Sequence, residues 1–178
     1  MQGHGDDRAD RIDQVQAAWR SELPDTDISS IGVVGRVVEL MHWIDRVRAT
    51  ALAGLDSDRA TFDLLATLRR SGPPYELTVG QLQRLSLVTT GAISQRVERA
   101  ERAGLVRRRP LPGDARRVVV GLTPAGVTAA AEQLGAVLEA ERAVLAPLSA
   151  GQRQELEELL RAWVLGFGAA EAVGSATD

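Results

Sequence analysis

Cysteine is missing from this chain of 178 residues, which excludes disulfides and thiolate metal sites. Lysine is missing as well, and all 21 basic residues are arginine. A guanidinium offers a planar fork suited to phosphate oxygens and guanine edges, which an ammonium cannot imitate. Histidine occurs only at His4 and His42, too sparsely for a histidine-based metal site. No apolar run reaches the roughly 18 residues that a membrane-spanning helix needs, so no membrane partner is expected. The stretch Met1 to Arg11 is polar and of mixed charge, without the apolar run of a secretory signal, and a cytoplasmic location is expected. Neither a nucleophile with its base nor a glycine-rich phosphate loop stands out, so the expectation is a protein that is not an enzyme and has no cofactor.

What is present is an ordinary globular composition, 44% apolar and 25% charged, enough for one core with helical arms. The charge is unevenly spread. Between Arg84 and Arg117 stand Arg84, Arg96, Arg99, Arg102, Arg107, Arg108, Arg109, Arg116 and Arg117 against Glu98, Glu101 and Asp114. That segment carries +6 in a chain of −3, leaving −9 elsewhere. A local positive field on an acidic protein marks a surface that meets phosphate, and duplex DNA is the expected partner.

Hydrophobic spacing predicts helices on both sides of this segment. Ile12, Val15, Ala18 and Trp19 share one face of a helix over Asp6–Leu23, stopped by Pro24. Ile31, Val34, Val37, Val38, Met41, Ile44 and Val47 mark the buried stripe of a long helix over Ile28–Leu55. Ser57 or Asp58 can cap a third helix running to about Ser71, and Gly72-Pro73-Pro74 ends it. The arginines Arg69 and Arg70 fall on its solvated end, while His42, Trp43, Trp163 and Phe167 read as packing residues.

Thr78 and Gln81 match a capping box that opens a short helix, Val79–Leu85. Thr89 can cap the next helix, which ends at Gly104. Strands over Leu105–Arg109 and Arg116–Leu122 follow, joined by a Pro112-Gly113-Asp114 turn, with Val118, Val120 and Leu122 on one side. Thr123 and Pro124 start a helix to Leu145 whose inner face is Val127, Ala130, Leu134, Val137 and Val144. Ser149 and Gln152 cap a last helix with a stripe of Leu156, Leu159, Leu160, Trp163, Val164 and Phe167.

Two short capped helices followed by a basic strand pair make a helix-turn-helix with a wing, so the expected class is mainly α with a small β-wing. On the second of these helices Ile93, Val97 and Ala100 fall on one face, to dock on the preceding helix. Gly91 and Gln95 point away, flanked by Thr90, Ser94 and Arg99, and the first turn of such a helix is what meets base edges. Thr90, Ser94 and Gln95 are the base-reading candidates, Gly91 permits close backbone approach, and Thr89 caps the helix where it meets DNA. Arg116 beside the wing tip suits the minor groove, and Arg107, Arg109 and Arg117 suit phosphates.

The run Thr89–Arg109, the wing Gly113-Asp114-Ala115-Arg116-Arg117 and Leu122-Thr123-Pro124-Ala125-Gly126 resemble the winged helix of MarR-type bacterial transcription regulators. The resemblance implies a homodimer held by helices at both chain ends, with two recognition helices about 34 Å apart reading an inverted repeat. Residues 1–56 would then be N-terminal helices, 57–124 the winged helix-turn-helix, 125–170 C-terminal dimerisation helices and 171–178 a disordered tail.

A narrower resemblance is to the family's urate-responsive branch, carried by Trp19, Pro24-Asp25-Thr26-Asp27, Ile31-Gly32-Val33-Val34-Gly35-Arg36 and the stretch Phe62–Arg70. It implies an extra N-terminal helix and an anion site at Trp19, Asp63 and Arg96, with Ser71 where some members carry an assisting asparagine. The residues add a physical case of their own. Asp63 lies among Phe62, Leu64, Leu65 and Leu68, where a lone charge needs a partner. Arg96 lies about 60° from the core stripe of its helix and can face the scaffold. The expected function is thus a ligand-responsive dimeric repressor released by a small anion such as urate. The alternatives are a regulator of the same kind answering a polycarboxylate or phenolic ligand, or a helical ligand-binding dimer without DNA activity.

Overall fold

The computed structural model describes residues 9–86, 90–111 and 113–174. Seven helices and three strands follow in the order α1 (Arg11–Glu22), α2 (Ser29–Ala53), α3 (Arg59–Arg70), β1 (Glu76–Thr78), α4 (Val79–Ser86), α5 (Thr90–Arg102), β2 (Val106–Leu111), β3 (Asp114–Leu122), α6 (Pro124–Leu145) and α7 (Ala150–Gly174). Local chemistry fixes most boundaries. Asp58 caps α3 by accepting from the Thr61 N–H, and Gln81 Oε1 accepts from the Thr78 N–H at 2.8 Å to open α4. Thr123 caps α6 with Pro124 in its first turn, and Gln152 Oε1 accepts from the Ser149 N–H at 2.8 Å at the start of α7.

Five expectations are corrected. The first helix starts at Arg11 because Asp10 makes a capping box with Asp13 there. Strand β1 was not foreseen: three residues are too few to show alternation, and Leu77 pairs with Val120 on the open side of β3. Pairing with β1 reaches only from Val119 to Gly121, so Val119 is buried while Val118, in the two-stranded part of the wing, is exposed. On α6 the inner face is Gly126, Ala130, Gln133 and Val137, and Leu134 is turned outward. The last helix runs to Gly174, past the boundary expected at 170, because Ala169-Ala170-Glu171-Ala172 contains no helix breaker. Thr89 and Pro112 lie outside the described residues.

The strands form one antiparallel sheet in the order β1-β3-β2. The core gathers Leu64, Leu65 and Leu68 of α3, Leu82, Ile93, Val97 and Ala100 of the helix-turn-helix, Leu77, Val106, Val120 and Leu122 of the sheet, and Ala130 of α6. Each buried aliphatic of this kind contributes about 1.5–3 kcal/mol. The carbonyl oxygen of Leu105 stands 1.9 Å from where a β-carbon on Gly126 would lie, so α6 enters against the backbone just before β2 and needs glycine there.

The N-terminal helix docks on α2 through small residues. A β-carbon on Gly35 would meet Ile12 at 3.0 Å, and one on Gly32 would meet Gln16 at 3.1 Å. Arg36 then joins Asp10 and Asp13, each at 2.7 Å. The packing stripe expected on α2 is only partly filled in the single chain, with Val34, Val38 and Met41 exposed beside Val33, Leu40 and Trp43. Every described side chain of α7 is exposed, and Trp163 and Phe167 meet each other at 6.2 Å between ring centroids, while Trp43 on α2 is exposed under Arg46, so the burial expected of these three is not found among the described residues.

Candidate nucleic-acid interface and ligand site

The recognition candidate α5 is held from below by Ile93, Val97 and Ala100, all essentially buried in the core. That leaves Gly91, Ser94, Gln95 and Glu98 on its exposed face, as the spacing implied. Nothing lies within 4 Å of where a β-carbon on Gly91 would stand, so backbone can be approached closely at that point. The backbones of Thr90 and Arg116 lie on α5 and β3.

The arginines of the basic segment are not simply loose cations. Arg109 Nε bonds Glu76 Oε1 at 3.2 Å, its terminal nitrogen pairs with the other Glu76 oxygen, and Arg107 approaches Glu76 at 3.7 Å. The Glu76 carboxylate is little exposed and is held below its ordinary pKa, chiefly by the Arg109 hydrogen bond. Arg108 bonds Glu101 at 2.7 Å through Nε, and Glu101 is lowered for that reason first. Arg99 pairs with Asp58, whose carboxylate is lowered first by the Thr61 N–H and then by the arginine. Arg84 and Arg117 instead line a cleft of about 300 Å³ with Thr78, Val79, Gly80 and Val118. Each of these ion pairs keeps an exposed guanidinium, so the acids orient the arginines without burying them. Glu76 was missed in the sequence because β1 was missed; an acid facing a run of three arginines was the available signal.

The expected ligand residues are brought together in part. Arg96 Nη1 reaches Asp63 Oδ2 at 3.7 Å, linking α5 to α3, with the Arg96 side chain 21% exposed and that of Asp63 40%. Asp63 also lines a cleft of about 530 Å³ with Phe62, Ala66, Thr67, Arg69, Arg70, Leu85, Ala130 and Leu134. Ser71 lies at the end of α3, its hydroxyl donating to the Leu68 carbonyl at 2.7 Å. Trp19 is half exposed on α1 and does not line this cleft within the single chain. Arg69, expected on a solvated end, stacks on the Tyr75 ring at 4.4 Å, so cation and aromatic face lie beside the cleft.

Among the described residues no group of acids and histidines could hold a metal ion, and no helix is long and apolar enough to cross a membrane. The MarR family model matches residues 55–117, from the end of α2 to the wing. The HTH-type transcriptional regulator PecS of Dickeya dadantii (strain 3937) is 32% identical over 149 residues, covering 84% of this chain and 90% of PecS. Wild-type MarR of E. coli in its apo form superposes with a TM-score of 0.64 at 28% identity, covering 72% of this chain and 93% of that one. A single-site variant of E. coli MarR complexed with operator DNA gives 0.64 at 25% identity, covering 81% and 96%. With likeness to PecS extending over nearly all of both sequences, the chain belongs to the MarR family of DNA-binding transcriptional regulators.

Proposed function

We propose that the protein is a homodimeric repressor that binds a pseudo-palindromic operator and lets go of it when a small anion, urate or a close relative, binds beside Arg96. The observation that carries this reading is the Arg96–Asp63 contact, because it ties the recognition helix to the scaffold next to an open cleft. An anion that takes Arg96 from Asp63 acts directly on the helix that reads DNA. Thr89, Thr90, Gly91, Ser94 and Gln95 meet the major groove, Arg116 enters the minor groove, and Arg99, Arg107, Arg109 and Arg117 meet phosphates. The operator complex of the E. coli MarR variant supports duplex DNA as the partner.

Dimerisation is supported by the apolar surface that α2, α6 and α7 leave uncovered, including Met41, Trp43, Leu138, Leu160, Trp163 and Phe167. A patch of this size on a lone chain marks an interface. In the dimer Trp19, on the extra N-terminal helix, and Ser71 complete the anion site.

The test is fluorescence anisotropy of the protein on its own upstream intergenic DNA, with urate titrated into the preformed complex. Release at sub-millimolar urate is expected, and complexes that survive saturating urate would remove urate from the reading. Arg96→Ala should keep operator affinity within about threefold of wild type and lose the response to urate. A variant that urate still releases would sink the proposed anion site.

A further inference from the structure

A second cleft, of about 370 Å³, lies between the α2–α3 turn, α5 and α6, and shares no lining residue with the one around Asp63. Its walls are mostly apolar, with Leu55 from the turn, Ala100 and Ala103 from α5, Leu105 before β2 and Ala129 from α6. Asp56, Ser57, Asp58, Thr61, Arg99 and Gln133 supply the polar part of the lining. Ser57 Oγ and Gln133 Oε1 are also the buried side-chain atoms left without a hydrogen-bond partner among the described residues. Gln133 is 4% exposed and sits on the inner face of α6, where its neighbours are Gly126, Ala130 and Val137.

A buried acceptor left unmet is destabilising, so a glutamine on an otherwise aliphatic face needs a donor from elsewhere. An amide oxygen accepts and cannot donate, which means the occupant must bring an O–H or N–H. A charge is not what this buried oxygen asks for. Asp58 and Arg99 line the same cleft but pair with each other, and Asp56 is exposed at the turn, so the charged groups of the lining are met by one another or by solvent.

We propose that this cleft binds a small uncharged hydroxylated molecule, whose hydroxyl donates to Gln133 Oε1 and whose apolar body lies against Leu55, Leu105 and Ala103. Ser57 Oγ supplies a second hydrogen bond near the turn. The occupant rests on Ala100 and Ala103 of α5, so this is a second place where a ligand touches the recognition helix.

Benzyl alcohol and toluene form a matched pair of probes, alike in body and differing in the hydroxyl. Each is titrated into the full isotope-labelled chain, following the side-chain amide resonances of Gln133, assigned by their loss in Gln133→Leu. Benzyl alcohol should move those resonances and bind more tightly than toluene. Gln133→Leu should weaken benzyl alcohol by roughly three- to tenfold, the range one hydrogen bond supplies, and leave toluene no weaker. Ser57→Ala, a milder change, should weaken benzyl alcohol by several-fold without touching the α6 face. Arg96→Ala should leave benzyl alcohol binding unchanged, which separates this cleft from the anion site. Equal responses to the two probes, or unmoved Gln133 resonances at saturating benzyl alcohol, would overturn the proposal and leave an ordered water as the cleft's occupant.

Discussion

The winged lobe and the terminal helices solve the burial problem in opposite ways. From α3 to β3 the apolar side chains find one another within the chain, with Leu65, Leu68, Leu82 and Val120 wholly enclosed. On α2 and α7 comparable side chains, such as Val38, Trp43, Leu159 and Val164, face outward. The apolar periodicity looks alike in both regions, so periodicity identifies a face and does not say what covers it. The winged lobe therefore covers its apolar side chains within the chain, with Ala130 of α6 helping, whereas the arms are expected to draw their stability from a second copy.

Leu65→Ala probes that difference most strongly. It should cost about 2–5 kcal/mol at every protein concentration, because Leu65 is fully enclosed and the cavity cannot collapse. Leu159→Ala should instead lower stability only through the part that depends on protein concentration. Urea unfolding at two concentrations separates them, and a Leu159 variant with a concentration-independent loss would break the comparison. The junction between the regions is next. Gly126→Ala places a methyl group against the Leu105 carbonyl and should cost about 1–3 kcal/mol or more, read as a lowered Tm. A Tm within a degree of wild type would mean that α6 can shift away from β2 freely.

The proposed DNA contacts lie on the surface of the lobe. Arg116→Ala should weaken operator binding by ~1–3 kcal/mol while leaving Tm unchanged, since its backbone lies on the wing strand β3. Anisotropy at fixed salt measures the first and a thermal melt the second. Unaltered affinity would take Arg116 out of the interface.

The helices were legible because their signals are local: the capping boxes at Thr78 and Ser149, the Thr123-Pro124 start and the stripe Ile93, Val97, Ala100 each need only a few neighbouring residues. What escaped the sequence depends on contacts between distant residues. Strand β1 exists because β3 offers it an edge 41 or more residues away, and Glu76 becomes an anchor for arginines only through that pairing. Asp63 and Arg96 were brought together by the resemblance to the urate-responsive branch, with a charge among leucines and an arginine beside a core stripe in support, yet the cations lining the cleft itself are Arg69 and Arg70. Their placement follows from where α3 ends against Tyr75, which no spacing rule encodes.

The smallest expected effect concerns that Glu76 anchor and sharpens the contrast between lobe and arms. Ion pairs on the arms, such as Arg142–Glu139 and Arg161–Glu157, are exposed and lie within one helix, where pairs contribute little. Glu76 is nearly covered and joins β1 to β2 across the sheet. Its folded carboxyl is held below its ordinary value of 4.5, chiefly by Arg109, with burial opposing and Arg107 assisting. A lowered folded value means that the unfolded chain takes up the proton more readily. The stabilisation is therefore fully present above the ordinary carboxylate range and fades as pH falls through the folded value. Glu76→Gln should accordingly lower Tm slightly near neutral pH and flatten the fall of Tm below about pH 4.5. Parallel acid limbs in wild type and Glu76→Gln would mean that the carboxylate does not hold the wing's base, and that other lowered acids, Asp58 and Glu101, govern acid sensitivity.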